Sequence, residues 1–365
     1  MTPLSAVPYF TSREGILKAT FRRLMITAGL GAAFAWAVPA IAQTPAAPSP
    51  VTVSGVVYAQ YGYQLKDTAN HLNAFDVTRA YINVIGKFSG GIMTRVTADI
   101  AHAAAGQQTY RLKYAFAGYT PEGSAVTYKL GLMTTPWIDW EEALWDYRMQ
   151  GPVALDRNGY LSSSNFGLGV DGNVNQEQVD FQAGVFDNGS YSAGLGDQRK
   201  DIHARVSVRA MGTDDASRVG GLRITAFTQI GKPPTGGTRT RFVGMVSYKS
   251  KSLTLAGEAA LANDSAAASV TQVKGQVISI FGVYHFTGSP VALVARFDQV
   301  KPDKNAVSTT PGFTNSRFIA GASYQLSPNV RLLADLDLLS YKNGSPSPAL
   351  EATRQQALFQ AQFTF

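Results

Sequence analysis

The chain has 365 residues, 45% hydrophobic, 11% aromatic and only 16% charged, with 35 glycines. It has no cysteine, which excludes disulfide frameworks, thiolate metal sites, cysteine nucleophiles and a lipid-bearing N-terminal cysteine, and a mean hydropathy of −0.04 is too polar for a helical membrane bundle. Of the net charge of +7, the first 42 residues hold four basic residues against one acidic, so the remainder is about +4, too mild to indicate a nucleic-acid partner.

In chain order, Lys18, Arg22 and Arg23 precede an apolar run from Leu24 to Ala42 that closes on Pro39-Ala40-Ile41-Ala42. A basic head, an apolar middle and an A-x-A-like end predict a secretory signal over 1–42, cleaved after Ala42. The run is about 19 residues long, enough for a membrane anchor, but its Gly and Ala richness favours the signal. Residues 43–50, with Thr44-Pro-Ala-Ala-Pro-Ser-Pro50, read as a proline-rich linker with no reason to pack. Export is expected.

From Val51 onward the dominant period is two, the mark of half-buried strands. Sixteen alternating segments start near Val51, Phe75, Ile92, Tyr110, Ala125, Ser164, Gln178, Asp201, Gly221, Arg241, Leu253, Val273, Val291, Asn315, Val330 and Arg354. Short connections such as Ser89-Gly90-Gly91, Ser250-Lys251-Ser252 and Ser327-Pro328-Asn329 alternate with longer ones such as Asp187–Lys200 and Lys301–Thr314. Aromatics cluster near segment ends (Tyr61, Tyr63, Tyr248, Tyr284, Phe286, Tyr324), and the last strand ends on Phe365. An even number of strands with a short-long rhythm of turns predicts an all-β, transmembrane antiparallel up-and-down barrel over 51–365, in an outer membrane. A soluble sandwich is the alternative; one nearly uninterrupted apolar face opposite a strongly charged one weighs against it.

Parity then assigns faces. With Ala80, Ile82 and Val84 outward, Arg79, Tyr81 and Asn83 point inward; by the same rule Arg95, Thr97, Asp99, Arg111, Lys113 and Lys129 line the lumen, followed by Arg205, Arg209, Arg223, Arg296, Arg317 and Arg331. A basic residue on the lipid face costs about 2–4 kcal/mol near the midplane. The basic residues either support carboxylates such as Asp99, Asp180, Asp335 and Asp337, or form an anion pathway; both readings are expected to hold, with Arg79, Arg95, Arg111, Lys113 and Lys129 as the basic wall. The longest connection, 134–161, follows strand five and carries three of the four tryptophans. It is expected to fold inward as a constriction loop built on Trp137, Asp139, Trp140, Glu141, Glu142, Asp146 and Arg148, with its carboxylates facing the basic wall and Trp140, Leu144 and Tyr147 packed behind.

Gly131-Leu-Met-Thr-Thr-Pro136-Trp137, followed by Glu141-Glu142, Tyr147-Arg148, Asp156-Arg157 and Ser163-Ser-Asn-Phe-Gly167, resembles the phosphate-selective porin O/P family, and Phe75–Arg79 is similar to its early basic strand motif. The resemblance implies a sixteen-stranded, usually trimeric diffusion channel for small ions and solutes. It also implies contact with outer-membrane lipid and docking of the C-terminal strand ending in Phe365 on the barrel-assembly machinery. The lysine cluster of the family's phosphate channels has no counterpart: Gly231–Arg239 offers Lys232 and Arg239.

No enzyme, metal or cofactor site is expected. Gly167-Leu-Gly169-Val-Asp-Gly172 matches the dinucleotide fingerprint but lies within an alternating strand and opens no helix. The four histidines, His71, His102, His203 and His285, lack metal-ligand spacing. Glu141 and Glu142 are adjacent rather than opposed. The predicted function is a passive porin with mild anion preference. Its rivals are a channel specific for phosphate or for sugars stacking on Trp137, Trp140 and Trp145, a non-conducting structural barrel, and an outer-membrane hydrolase.

Overall fold

The computed structural model describes residues 50–365 except 67–72, 103–105, 190, 193–195, 268–269 and 353. The predicted signal, the linker up to Pro50 and His71 lie outside the described residues. In order the elements are β1 (Val51–Gln64), β2 (Asn73–Phe88), β3 (Ile92–His102), β4 (Gln108–Tyr119) and β5 (Val126–Thr134), then helices α1 (Pro136–Leu144) and α2 (Ala154–Arg157). There follow β6 (Ser164–Val174), β7 (Val179–Asp187), β8 (Lys200–Met211), β9 (Gly221–Gly231), β10 (Thr238–Lys249), β11 (Leu253–Ser265) and β12 (Val273–His285). The chain ends with β13 (Val291–Lys301), β14 (Asn315–Ser327), β15 (Val330–Tyr341), α3 (Pro348–Ala352) and β16 (Gln355–Thr364). The sixteen predicted starts fall within three residues of these.

Each strand pairs antiparallel with its sequence neighbour, and β1 pairs with β16 to close the sheet. Closure leaves no unpaired edge, the condition for strands to cross hydrocarbon. The seam is completed by two backbone bonds, Gly55 N–H to Phe365 O at 2.8 Å and Phe365 N–H to Gly55 O at 3.1 Å. The outward residues form an apolar face: Leu130 is 65% exposed, and Leu168, Ile224, Val246, Leu255, Leu293 and Leu336 are likewise open. A contiguous band of this kind is what a soluble protein covers and a lipid-facing barrel requires. Tyr63, Tyr284, Phe286 and Tyr324 stand exposed near strand ends.

The inner surface is not charged throughout, contrary to the expectation from parity. The β2–β4 side presents Arg79, Tyr81, Thr97, Asp99 and Lys113, whereas β10–β13 present Val243, Met245, Ala256, Ala260, Val277, Phe281, Val283 and Val294, all buried but for the partly exposed Arg79. This apolar sector receives the 134–161 loop, which buries it against Trp137, Ile138, Trp140, Leu144 and Trp145.

Two glycine sites show how tightly the β5–β7 wall is built. The Gly167–Gly172 stretch lies in β6, as a strand and not a nucleotide loop; a Cβ on Gly169 would lie 2.8 Å from Met133 Cε. Gly131 holds φ +125, and a Cβ there would meet Ala115 O at 2.4 Å. Gly131→Val should therefore cost at least about 2 kcal/mol from backbone strain and clash, seen as an earlier urea midpoint of the refolded barrel; an unchanged midpoint would show that the strand relaxes freely.

Candidate functional site

The lumenal loop starts where Pro136 occupies the first helical turn of α1, a position at which its missing N–H costs nothing. Asp139 lies in the same turn, favoured by the helix dipole. Trp137, Ile138, Trp140, Glu141 and Leu144 are buried. Trp137 packs on Phe227 of β9 with ring centroids 5.7 Å apart, and Trp145 on Phe281 of β12 at 5.3 Å. A loop inside a barrel must also satisfy its carbonyls, and wall side chains do so. Arg205 Nε donates to Pro136 O at 3.0 Å, Lys249 Nζ to Ala143 O at 2.9 Å, and Arg296 Nη1 to Pro152 O at 2.9 Å. Gln360 Nε2 donates to Met149 O at 2.9 Å, Arg241 Nε to Tyr160 O at 3.1 Å, and Tyr147 Oη meets Ser323 Oγ at 2.7 Å. The loop thus reaches strands on many sides of the barrel.

Opposite the apolar sector, Arg79 and Arg111 share the fully buried Asp99, at 2.8 and 2.9 Å. Arg95 donates to Thr97 Oγ1 at 3.1 Å and Asn83 Oδ1 at 3.0 Å, its guanidinium 4.4 Å from the Tyr114 ring centroid. Lys113 Nζ donates to Tyr81 Oη at 3.3 Å and lies 4.5 Å from that ring centroid. Among the described residues, neither Arg95 nor Lys113 has a carboxylate within ion-pair distance. Lys129, the fifth predicted member, is taken up by Asp171 at 2.5 Å.

The loop carboxylates differ from expectation. Asp139 pairs with Arg218 of the β8–β9 connection at 2.6 Å, Glu142 with Arg148 of the loop itself at 2.9 Å, and Asp146 with Arg331 of β15 at 3.0 Å. Burial works against the Asp139 charge, but the Arg218 cation and hydrogen bond prevail and hold its carboxyl below the usual range. Glu141 does not face the basic wall at all. It is fully buried on the opposite side of α1, accepting from Trp137 Nε1 at 3.0 Å. Trp137, Trp140 and Trp145 are 0% exposed, so the indoles are packing groups and offer no face to a sugar.

Three cavities of about 950, 410 and 350 Å³ lie along the lumen, and Arg148 borders all of them. Arg79 and Arg157 border the first two. Arg95, Lys113, Asp139, Glu142 and Asp146 border the third. Sequence reasoning found Arg148 but not its position between cavities, and gave Arg157 no site role. Arg157 pairs with Asp337 at 3.2 Å, as does Arg317 at 2.5 Å. The 950 Å³ cavity also takes in Tyr191, whose ring lies 4.9 Å from the Arg111 guanidinium. No local pattern announces these partners, since Arg157 and Asp337 are 180 residues apart.

Residues 51–362 match the family described as phosphate-selective porin O and P. The chain belongs to that family. It is an outer-membrane porin, a barrel that provides a diffusion channel. Solved structures agree on the fold. An anion-selective porin from Comamonas acidovorans is similar with a TM-score of 0.63 at 13% identity, over 86% of this chain and 99% of that one. OmpF of Salmonella typhi, in complex with daunomycin, gives 0.61 at 16% identity, over 86% and 97%. In-vitro-folded OmpT of Vibrio cholerae, in a trimer form, gives 0.60 at 11%, over 86% and 99%. A search of curated protein sequences gives no significant match.

In this porin Arg205 joins wall and loop: it is buried, paired with Asp180, bonded to Pro136 O, and set 4.2 Å from the Trp140 ring centroid. Arg205→Ala would leave Asp180 buried without its cation. A loss of about 3–5 kcal/mol is expected, measured as a lower urea midpoint together with new tryptic cleavage at Arg148 or Arg157. An unchanged midpoint and an uncut loop would deny Arg205 this role.

Proposed function

We propose that this porin conducts small hydrophilic solutes passively with a preference for anions, through an eyelet formed between Arg79, Arg95, Arg111 and Lys113 on one side and Glu142, Arg148 and Asp156 of the loop on the other. The observation that carries this reading is the charge balance. Arg95 and Lys113 have no carboxylate partner among the described residues, Arg79 and Arg111 share one aspartate, and Arg157 and Arg317 share another. The loop carboxylates Asp139, Glu142 and Asp146 are each spent on an arginine. Excess cations in a wet pore raise the local anion concentration.

A phosphate-specific channel is the second reading. It is favoured by the arginines Arg79, Arg111, Arg148, Arg157, Arg239 and Arg241 around the 950 Å³ cavity and by the family's name. Arg239 is paired with Asp201 at 3.0 Å, and no lysine cluster joins it, which supports a general anion pore over a dedicated phosphate site. Micromolar phosphate blocking the chloride current would favour the second reading.

By the same reading the protein is a homotrimer without enzymatic activity. It is exported on a signal cleaved near Ala42, meets lipid with its apolar outer band, and is inserted by barrel-assembly machinery that engages the strand ending in Phe365. The trimer form of a similar barrel supports the oligomer.

One charge about 7 Å from an ion path in water is worth about 0.6 kcal/mol, roughly a threefold change in local ion concentration. The double variant Arg95→Gln/Lys113→Gln should therefore lower the chloride-to-potassium permeability ratio several-fold, with a smaller effect at high salt. Asp99→Asn should raise the ratio. Zero-current potentials across a KCl gradient decide; an unmoved potential in the double variant would remove the basic wall from the selectivity mechanism.

A further inference from the structure

Where α1 packs on the wall, two buried acids are brought together. Glu141 projects from α1 away from the open lumen; its Oε2 accepts from Trp137 Nε1, but its Oε1 has no hydrogen-bond partner. Glu258 of β11, 3% exposed, lies against the Glu141 carboxyl and the Trp137 indole, and neither of its carboxyl oxygens has a well-formed hydrogen bond. Ala256 and Ala260 flank Glu258 on the same inward face and pack in the apolar cluster with Trp137 and Trp140.

The surrounding charges do not resolve this juxtaposition. Across the sheet, Glu258 is opposite Ser279 of β12, which is opposite Asp298 of β13. Ser279 Oγ donates to Asp298 at 2.7 Å, and Arg296 is bound to Asp298 at 2.8 Å, both buried. The one nearby cation from β13 is thus already matched. On β8, Arg205 is paired with Asp180; on β10, Lys249 donates to Ala143 O; on β9, Phe227 packs on Trp137. Two carboxylates in this apolar setting would repel with little water to screen them, whereas one proton between them converts the contact into a strong O–H···O⁻ hydrogen bond. Burial, and then the like charge of Glu258, push the Glu141 carboxyl well above its ordinary value.

We propose that Glu141 and Glu258 form a proton-held latch that keeps α1 seated against β11 and releases the constriction loop as the pH rises. Protonated Glu141 donates from Oε1 to the Glu258 carboxylate; loss of that proton leaves two facing anions and drives the helix off the wall into the lumen. The sign follows from linkage: a carboxyl whose proton is held more tightly in the seated state stabilises that state at low pH, and the contribution is lost as pH rises through its titration. The latch concerns the state of the loop, and its effect on current rests on the porin reading.

The test is tryptic cleavage at Arg148 and Arg157, normalised at each pH to cleavage of an unstructured arginine peptide because the protease itself titrates in this range, with single-channel conductance in planar bilayers, on the full refolded barrel from pH 5 to pH 10. The wild type should show a protected loop and steady conductance at low pH. As the pH climbs toward the titration of the seated pair, cleavage should rise by up to about tenfold per pH unit and then level off, as a one-proton step requires, and the current should break into closures. Glu258→Gln should abolish both transitions, because an amide facing Glu141 supplies a hydrogen bond at any pH. Glu141→Gln should do the same and serves as the second variant where the first does not refold. A wild-type loop that stays protected to pH 10, or a Glu258→Gln barrel with the wild-type midpoint, would overturn the latch. Absence of current at every pH would count against the pore reading alone, since the cleavage profile still decides the latch.

Discussion

The contact on which the rest of the lumen depends is the burial of the α1 indoles against the inner face of β9–β12. An inward loop of this length brings many backbone polar groups and several charges into a confined space. Without an apolar anchor it would gain little by leaving water. Trp137 on Phe227 and Trp145 on Phe281 supply that anchor. Once the helix is seated, geometry dictates which wall groups reach its carbonyls: Arg205, Lys249, Arg296, Gln360 and Arg241 each satisfy one. Several inward arginines are thus structural donors first, and only the remainder are free to act on solutes.

This division separates two populations of positive charge. Arg205 and Arg296 are buried behind or beside the loop, each paired with an aspartate, and a permeating ion does not see them as net charge. Arg95 and Lys113, by contrast, lie over tyrosine rings and bond to neutral side chains. An aromatic face stabilises a cation without cancelling it. Tyr81 and Tyr114 therefore hold Lys113 and Arg95 in place without neutralising them.

The barrel was legible because its cause is local. Alternation of period two and turn residues at regular spacing are properties of neighbouring residues, and both survive in the observed strands. Parity also placed Arg79, Arg95, Arg111 and Lys113 inside. It was ambiguous where both faces are apolar: Phe242 is exposed and Val243 buried, Ile280 exposed and Phe281 buried, and alternation alone does not reveal that the inner member meets a loop. The pairing of charges was not legible either. Asp99 is reached from two other strands, Asp146 from β15 and Asp337 from the loop, and such partners are set by closure of the sheet and the path of 134–161. The orientation of Glu141 failed for a related reason. Four acids at 139, 141, 142 and 146 resemble one polar face, but a short helix of nine residues wedged between walls has two faces in contact.

The two acidic contacts of the α1 anchorage, at Asp139 and Glu141, respond to protons in opposite senses. The Asp139–Arg218 pair holds only while Asp139 is ionised, and Arg218 keeps that charge down to acidic pH. The Glu141 contact is strongest while Glu141 is protonated, and burial beside Glu258 keeps that proton on to higher pH. Each alone would make the seat of the helix a monotonic function of pH. Together they confine full anchorage to a window, bounded below by protonation of Asp139 and above by ionisation of Glu141. The apolar contacts of Trp137 and Trp145 are indifferent to pH and set how far the helix moves when either bound is crossed.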